Sequence, residues 1–553
     1  MVGSGLGDGG SGELKVVKGN LGGVGTFSHL TKVGSQTLSH TRWNHDGYKN
    51  TMLGDLGNTI WSVCYFVVLF GLSLYGIHRY VIVYLFLKHR NRPFVPKGKF
   101  EKLPRITVQL PIFNELYVVE RLLRSVAALE YPRELLDVQV LDDSTDETTE
   151  IARKLVEELA ATGLTIELVH RVNRTGFKAG ALEEGMAKCV GEYILILDAD
   201  FVPEPDMLLK TVDYFTDPKV GMIQTRWGHL NRTYSVLTRV QAMFLDGHLL
   251  LEQTARSRAG RFFNFNGTAG LWRKSCIVEA GGWQHDTLTE DLDLSYRAQL
   301  KGWQFVFLPE LVTPAELPVD MNGFKSQQHR WTKGSIQTCQ KLLPAVWRAD
   351  LPLLTKLEST AHLTSNYAYL LLFFLCILMH PATRGDDAVF SWHSILINIP
   401  IYLSASLPAV VFYTVAQRQL HPKTWIRELV LLPMVLALGI GLAINNARAV
   451  LEALMGHQSE FTRTPKYGIE SRTQAWKKAK YIPMKSVLPF IELLFALYFS
   501  YLFASAAYYQ QWLNVVFLSL FLVGFSYVAL CSMAQWLPRL RFPGRDSGES
   551  LSA

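Results

Sequence analysis

Three acidic clusters carry side chains that could hold a charged diphosphate and move a proton. They are Asp142-Asp143, Asp198-Ala199-Asp200 and Thr289-Glu290-Asp291. Two carboxylates that flank one residue can hold a hard divalent cation, which can bind diphosphate oxygens at the same time. Adjacent carboxylates that are partly buried have raised pKa values, which suits one of them to act as a general base.

Each cluster, taken singly, also has a structural interpretation. Asp142-Asp143 could bind a base or a ribose, or could cap a helix, because Ser, Thr and Asp follow it. Thr289 is a good N-cap, and acids in a first helical turn suit the helix dipole. A lone Asp-x-Asp is often a solvated turn. Only the order of the clusters along the chain makes their functional interpretation more specific.

A fourth string, Gln327-Gln328-His329-Arg330-Trp331, combines a neutral donor, a planar cation and a flat ring. Arg330 offers a fork for phosphate oxygens, and Trp331 offers a face for a sugar ring. The alternative is an amphipathic helix at a membrane surface, with Phe324 and Trp331 in lipid and Lys325, Arg330 and Lys333 at headgroups. One helix can do both.

Short apolar runs alternate with helical patterns through the region that holds the acidic clusters. Strands are predicted at 106–110, 138–141, 165–169 and 193–197, and helices at 115–130, 147–162 and 178–188. This alternation is typical of an α/β domain with a mostly parallel sheet, which binds ligands at the carboxyl ends of its strands. Asp142-Asp143 and Asp198-x-Asp200 fall at such ends.

Apolar segments of membrane length flank this α/β region. They lie at 60–77, extended to 87, and at about 361–380, 394–417, 429–446, 486–507 and 512–534. Basic residues cluster at 88–105 and at 447–485, which predicts that both stretches and the α/β domain are cytoplasmic. A full crossing by every segment would place 447–485 outside, so either 429–446 lies along the membrane or re-enters it, or one segment boundary is wrong.

The composition agrees with a membrane protein that has one large polar domain. Hydrophobic residues make up 49% of the 553 residues, and the net charge of +7 gathers at the ends of apolar segments, which argues against nucleic-acid binding. The expected organisation is a disordered segment at 1–56, a transmembrane segment at 57–90, the α/β domain at 100–345, a multi-span region at 355–535 containing the loop 447–485, and a polar tail at 536–553.

The motifs, in this order, resemble those of processive family 2 glycosyltransferases, the group of cellulose and hyaluronan synthases. The matching residues are Pro111, Asn114 and Glu115, Asp142-Asp143, Lys178-Ala179-Gly180, Asp198-x-Asp200, Phe265–Ala269, Thr289-Glu290-Asp291, Gln327-x-x-Arg330-Trp331 and Phe461-x-x-Thr464-x-Lys466. The last resembles the group's gating loop, although Arg463 stands where valine is usual. The wording Gln-Gln-His-Arg-Trp resembles the mannan, glucomannan and xyloglucan-backbone branches.

The resemblance implies a GT-A type, Rossmann-like domain inserted between transmembrane helices, and it implies a role for each motif. Asp291, with Glu290 and Thr289, would be the catalytic base in an inverting transfer. Asp198 and Asp200 would hold Mg²⁺ or Mn²⁺. The donor, UDP-glucose or GDP-mannose, would meet Pro111, Asn114, Glu115, Asp142, Asp143, Lys178, Asp198, Gln327 and Arg330. The growing glycan would meet Asn266 and Trp331, and Phe461, Thr464 and Lys466 would gate the site.

The expected protein is therefore a multi-pass membrane enzyme that contacts membrane lipids and has a cytoplasmic catalytic domain. The expected membrane is the plasma or inner membrane, or the Golgi membrane if the organism is a eukaryote. It would polymerise a β-linked glycan, of β-1,4-glucan or mannan/glucomannan type, and pass it through the membrane. Transfer of one sugar to a ceramide-type lipid is the alternative, and a non-catalytic scaffold is a third interpretation. Neither the donor sugar nor the oligomeric state follows from the sequence.

Overall fold

A computed structural model describes residues 45–382, 392–459, 463–471, 473–474 and 486–535. Most of the predicted segment 1–56, the polar tail and Phe461 lie outside these ranges. Contacts divide the chain into Met1–Asn58 and Thr59–Ala553. The described part of the first unit is the beginning of helix α1 (His45–His89), and the fold described below belongs to the second unit.

One mixed sheet of seven strands forms the centre of the polar domain. The strands are β1 (Ile106–Ile112), β2 (Leu136–Asp142), β3 (Thr165–His170), β4 (Tyr193–Ile196), β5 (Val220–His229), β6 (Gly270–Arg273) and β7 (Gln304–Ala315), in the spatial order β3-β2-β1-β4-β6-β5-β7. The first four pair in parallel, as predicted. β6 runs antiparallel between β4 and β5, and β7 is parallel to β5.

The helices of the polar domain cover the sheet and lead to the membrane-type helices. They are α2 (Val119–Ala127), α3 (Thr148–Ala160), α4 (Phe177–Lys188), α5 (Met207–Thr211), α6 (Val236–Asp246), α7 (Thr254–Arg258), α8 (Lys274–Glu279), α9 (Glu290–Leu300), α10 (Met321–Arg348) and α11 (Leu353–Thr364). A π-helical segment, Gly247–Gln253, joins α6 to α7. Three of these helices, α2 to α4, match the helices predicted between the strands, and α9 matches the helix predicted to begin after Thr289.

The sheet is buried on both faces, and most side chains of β1 and β4 are apolar. On one face, α2 and α3 contribute side chains such as Leu122 and Leu155 to the core. On the other face, Leu182 of α4 and Leu294 of α9 pack with Trp272 of β6. The rigid sheet therefore fixes the carboxyl ends of β1, β2 and β4 side by side, where polar residues follow each strand.

The remaining helices are strongly apolar. They are α12 (Tyr367–Ala382), α13 (Trp392–Leu420), α14 (Trp425–Leu429), α15 (Leu432–Gly441), α16 (Ala443–Leu454), α17 (Leu488–Tyr508) and α18 (Trp512–Ala534). Among the described residues, four stretches are long and apolar enough to cross a membrane: Leu56–His89, Trp425–Leu454, Leu488–Tyr508 and Trp512–Ala534. The bent pair of α11 and α12, at 55°, could be a fifth.

Helices α15 and α18 approach each other closely where Gly441 faces Gly524. A Cβ added at Gly441 would come closer than 3.0 Å to the carbonyl oxygen of Gly524, and one added at Gly524 would meet the backbone of Ala437 equally closely. Small residues allow this kind of backbone contact between membrane helices. Two residues earlier on α15, a Cβ at Gly439 would meet only Phe244, at 3.9 Å.

We therefore predict that Gly441→Ala destabilises the protein, whereas Gly439→Ala does not. Forcing a methyl group into a closed helix contact costs about 1–3 kcal/mol, while an uncrowded helical Gly→Ala change gains up to about 1 kcal/mol. Thermal unfolding in detergent, followed by tryptophan fluorescence, measures the difference. Equal midpoints for the two variants would contradict the close packing of α15 on α18.

Candidate active site

A cleft of about 180 Å³ lies at the carboxyl ends of β1 and β4. It brings together most of the residues predicted from the sequence: Pro111, Glu115, Asp143, Lys178, Asp198, Asp200, Asn266, Thr289, Glu290, Asp291, Gln327, Arg330, Trp331, Thr464 and Lys466. They come from stretches separated by more than 350 positions. Their convergence is the main structural support for treating the motifs as one site.

Asp198, just after β4, pairs with a lysine of α4. Its Oδ1 lies 2.5 Å from Lys178 Nζ, which also donates to the carbonyl oxygen of Gly267 at 2.9 Å. Burial alone would lower the pKa of Lys178, but the charges of Asp198 and Glu290 outweigh burial and raise it. Lys178 is therefore a fixed positive charge at the centre of the cleft.

Asp200 pairs with a second lysine, which comes from a distant loop. Its Oδ2 lies 2.5 Å from Lys466 Nζ and also accepts a hydrogen bond from the backbone nitrogen of Glu316 at 3.2 Å. The Asp200 side chain is buried. Each carboxylate of the Asp-x-Asp motif thus faces an ammonium group.

The chemistry of this donor set fits a divalent cation that is completed by a ligand's own oxygens. Among the described residues, no group of three or more His, Cys, Asp or Glu side chains is arranged to hold a metal alone. Mg²⁺ typically binds one or two carboxylates together with substrate phosphates and water. Asp198 and Asp200 supply two carboxylates, and the Asp198 side chain is 36% exposed to the cleft.

Asp291 is the carboxyl group in the cleft best suited to exchange a proton near neutral pH. Burial, together with the charge of the adjacent Glu290, raises its pKa to about 7, against the opposing effects of the Leu292 amide and Lys178. The Leu292 backbone nitrogen donates to Asp291 Oδ1 at 2.8 Å, which fixes the carboxyl group at the start of α9. A base with a pKa near the working pH is the most effective kind.

Thr289 occupies the N-cap position of α9, as predicted, but its side chain makes no capping hydrogen bond. Its hydroxyl lies 3.2 Å from the hydroxyl of Thr338 in α10. Gly334 of α10 packs so closely that an added Cβ would come within 3.0 Å of Thr289. These contacts fix the start of α9 against α10, and so place the base beside the Gln/Arg/Trp string.

Helix α10 presents Gln327, Arg330 and Trp331 to the cleft. Burial lowers the pKa of Arg330, although the carboxylates of Glu290 and Asp198 oppose that effect. The guanidinium therefore lies near the acidic centre, as a phosphate-binding group would. The Trp331 ring lines the same cleft, so its predicted alternative position in lipid is wrong.

The other side of α10 is packed into protein. Phe324 is 2% exposed and belongs to a core that includes the membrane-type helices. Lys325 pairs with Glu492 of α17 at 2.5 Å, and Lys333 pairs with Glu452 of α16 at 3.1 Å. The predicted placement of Phe324 in lipid and of these lysines at headgroups is therefore wrong. α10 is the structural link between the cleft and the apolar helices.

Asp142 and Asp143, the two residues predicted to bind the nucleoside, occupy different positions in the structure. Asp142 is fully buried and accepts hydrogen bonds from the Ser144 backbone at 3.1 Å, Thr149 at 2.7 Å and His170 at 2.8 Å. It shapes the turn after β2 and does not line the cleft. Asp143 does line it.

Two neighbours fix this corner of the cleft. Asp143 receives a bidentate pair of hydrogen bonds from Arg171, at 2.7 and 2.6 Å. Asn114 adopts a left-handed backbone conformation, with a φ of 56°, and its side-chain oxygen accepts from the Thr145 backbone at 2.8 Å. Asn114 therefore holds two loops together and does not line the cleft.

A segment that we name the strap, Arg463–Gly468, crosses the cleft. Arg463 forms a bidentate ion pair with Glu115, with both distances 3.0 Å, and also donates to the carbonyl oxygen of Asn114. Burial raises the pKa of Glu115 to about 8, although Arg463 opposes this effect. Arg463, which stands where the gating-loop motif usually has valine, thus binds Glu115 of the motif after β1.

The rest of the strap is held by Glu316, a residue that the sequence analysis missed. Its carboxylate accepts from the backbone nitrogens of Tyr467 and Gly468 at 3.0 and 2.9 Å, and its carbonyl oxygen accepts from Lys466 at 2.7 Å. In the sequence, Glu316 stands out only as a single acidic residue directly after strand β7. Thr464 and Lys466 lie in the strap, as the gating-loop motif implied.

Known proteins resemble this chain in sequence. The family model "Glycosyltransferase like family 2" matches residues 104–334. Glucomannan 4-beta-mannosyltransferase 7 of Arabidopsis thaliana is 32% identical over 444 residues, 77% of this chain and 77% of that protein. Glucomannan 4-beta-mannosyltransferase 2 of the same plant is 40% identical over 280 residues, 48% of this chain and 52% of the relative.

Among solved structures, the mannosyltransferase PcManGT from Pyrobaculum calidifontis, in complex with GDP-Man and Mn²⁺, is 20% identical with a TM-score of 0.49, covering 72% of this chain and 99% of that one. The sequence relatives confirm the family that the order of motifs indicated. The chain is a glycosyltransferase of family 2, and it belongs to the cellulose synthase-like branch that contains the glucomannan 4-beta-mannosyltransferases.

Proposed function

We propose that this protein is a membrane-embedded, inverting and processive glycosyltransferase that polymerises a β-linked mannan or glucomannan. The observation that carries the proposal is the cleft itself. It unites paired carboxylates and cations suited to a diphosphate with a buried carboxyl group whose pKa is about 7. The relative named a glucomannan 4-beta-mannosyltransferase, which aligns over 77% of the chain, supports GDP-mannose as the donor, with UDP-glucose as a second donor for a mixed polymer.

On the donor side, Asp198 and Asp200 would hold Mg²⁺ or Mn²⁺, which when bound offsets the charge of the leaving diphosphate. Lys178, Gln327 and Arg330 would contact the phosphates directly, since all three line the same cleft. Asp143, oriented by Arg171, would accept hydrogen bonds from the nucleoside. Asp142 and Asn114 contribute by shaping the surrounding loops.

On the acceptor side, Asp291 would take the proton from the attacking hydroxyl. That oxygen would attack the anomeric carbon from the side opposite the diphosphate, which inverts the configuration and yields a β-linkage. Trp331 would stack under the terminal sugar, and the side-chain amide of Asn266 would contact the same sugar. Both residues line the cleft next to the base.

We also propose that the residues from Glu452 to Gly468 lie on the cytoplasmic side with the catalytic domain. The ion pair of Lys333 with Glu452 and the contact of Lys466 with Asp200 both support this topology, because each joins the catalytic domain to the segment after α16. The growing glycan would then leave the cleft between the apolar helices. The strap, with Thr464 and Lys466, would gate the donor site.

The test of the proposed function is product analysis of the full chain in lipid nanodiscs. Radiolabelled GDP-mannose, alone and with UDP-glucose, is supplied with Mg²⁺ or Mn²⁺, and products are sized before and after digestion with endo-β-1,4-mannanase. A metal-dependent polymer that the glycanase degrades is expected. A product limited to one sugar on a lipid would instead support the ceramide-type alternative.

We predict that Asp291→Asn lowers polymer synthesis by about a hundredfold or more, because a general base acts chiefly in the transition state. Donor binding, measured by calorimetry, should change less than threefold by the same reasoning. In the wild type, Asp291 is protonated below its pKa of about 7, so transfer should rise as the pH increases through that value. Asp286→Asn, at an exposed surface pair, is the control. Full transfer by the Asp291 variant would remove it as the base.

We predict that Asp200→Ala abolishes the dependence of donor binding on Mn²⁺ and weakens donor binding by roughly tenfold, as the loss of a charged ligand implies. Calorimetric titration of GDP with and without Mn²⁺ measures both effects. Asp206→Ala, which breaks only a half-exposed pair with Lys210, should bind like the wild type. An unchanged Mn²⁺ effect in the Asp200 variant would refute the metal assignment.

We predict that Arg463→Val loosens the strap. Removing one partner of a buried ion pair is destabilising, so hydrogen exchange at the Tyr467 and Gly468 amides should accelerate by roughly tenfold or more. Arg448→Val, which removes an exposed partner of Glu452, should leave these amides unchanged. Equal protection in both variants would mean that the Glu115 pair does not hold the strap.

A further inference from the structure

The π-helical segment between α6 and α7 carries polar groups to which none of the sequence motifs assigns a role. The segment Gly247–Gln253 carries His248 at its second position and Glu252 and Gln253 at its end. Such segments are rare and occur often at functional sites. Here the altered helical repeat lets His248 and Gln253 both reach Asn266, which lines the cleft.

The side-chain oxygen of Asn266 is fully engaged by this cluster. It accepts hydrogen bonds from Gln253 Nε2 at 2.8 Å and Asn264 Nδ2 at 2.9 Å, and it lies 3.3 Å from His248 Nε2. Gln253 Nε2 also donates to the Asn264 backbone oxygen at 2.9 Å, so the orientation of the Gln253 amide is fixed. The oxygen of Asn266 must therefore face the π-helical segment.

This orientation leaves the amide nitrogen of Asn266 as a donor for something else. Its Nδ2 atom is buried and has no hydrogen-bond partner among the described residues. An unpaired buried donor is costly, and a bound oxygen would satisfy it. Because Asn266 lines the cleft near Asp291, whose carboxyl group lies beside Gly267, a sugar oxygen held there would be close to the base.

His248 lies between Glu252 and Asn266. Its Nδ1 lies 3.0 Å from a carboxylate oxygen of Glu252, and its Nε2 lies 3.3 Å from the side-chain oxygen of Asn266. The contact with Glu252 therefore holds the imidazole ring against Asn266.

A buried chain of charges fixes Glu252 in turn. Arg256, which is 2% exposed, donates to Glu252 at 3.0 Å and to Glu358 of α11 at 3.0 Å, and Glu358 pairs with His78 of α1 at 3.0 Å. Burial alone would raise the pKa of Glu252, but the charges of Arg256 and His248 hold it well below its usual range. Glu252 therefore stays ionised and keeps facing His248.

The titratable groups around this pair come from several elements. They are Glu252 and Arg256 on the same helical run, Tyr296 on α9, Glu358 and His362 on α11, His78 on α1 and Tyr413 on α13. Two carboxylates and one guanidinium lie in the direct chain from His248 to α1.

We propose that His248 is a positioning residue for the acceptor: together with Gln253 and Asn264 it orients Asn266 so that Asn266 Nδ2 donates to an oxygen of the terminal sugar. The inference rests on the proposed polymerase function. Loss of the His248 side chain should weaken use of the acceptor, whereas donor binding should not change.

The experiment compares His248→Ala, His248→Gln and Asn266→Ala in the full chain in nanodiscs, with GDP-mannose, Mn²⁺ and a short β-1,4-manno-oligosaccharide as the acceptor probe. His248→Ala should raise the acceptor KM by roughly tenfold, the scale of one lost hydrogen bond, and increase the fraction of donor hydrolysed to free mannose. The donor KM should change less than twofold. The double variant with Asn266→Ala should be no worse than Asn266→Ala alone.

His248→Gln separates positioning from folding, because glutamine can keep a donor near the position of Nε2. It should restore most of the acceptor KM. An unchanged acceptor KM in His248→Ala, an equal loss of donor and acceptor binding, or no rescue by glutamine would overturn the inference. A wild type that makes no polymer would overturn the proposed function and this inference with it.

Discussion

The pairing of two carboxylates with two ammonium groups at the end of β4 is the interaction on which the rest of the structure depends. Asp198 faces Lys178 from α4, and Asp200 faces Lys466 from the strap. Carboxylates grouped this closely would repel one another without such partners. Because Lys178 belongs to the α/β domain and Lys466 to the strap after α16, the two pairs also hold the strap across the cleft. In the proposed function, a cation or diphosphate that enters would replace these contacts, which would link ligand binding to the position of the strap.

The cleft and the apolar helices form one cooperative unit through α10. The face of α10 with Gln327, Arg330 and Trp331 meets the acidic centre, and the opposite face is fixed by buried pairs to Glu452 and Glu492. Breaking a buried pair by removing one partner commonly costs several kcal/mol. This arrangement fixes the side of the cleft that holds Gln327, Arg330 and Trp331 against the apolar helices.

Much of the fold could be predicted from the sequence, because its signals are local. Short apolar runs predicted strands β1 to β4. The carboxyl ends of two of these strands predicted the positions of Asp143 and Asp198. The antiparallel insertion of β6 was not predictable, since a strand of four residues has almost no periodicity. Nor were the contacts of Arg463 with Glu115 and of Glu316 with the strap, which join residues 348 and about 150 positions apart. The structural role of Asp142 also escaped prediction, because motif order cannot separate a carboxylate that shapes a loop from one that faces a ligand.

The most direct test of this account is an electron cryo-microscopy structure of the full chain with GDP-mannose and Mn²⁺, captured in the Asp291→Asn variant to prevent turnover. The account predicts metal density against Asp198 and Asp200, Lys466 moved from Asp200 towards the diphosphate, and residue 291 on the side of the anomeric carbon opposite the leaving group. A nucleotide bound outside the cleft, or Lys466 still on Asp200 with the donor in place, would contradict it.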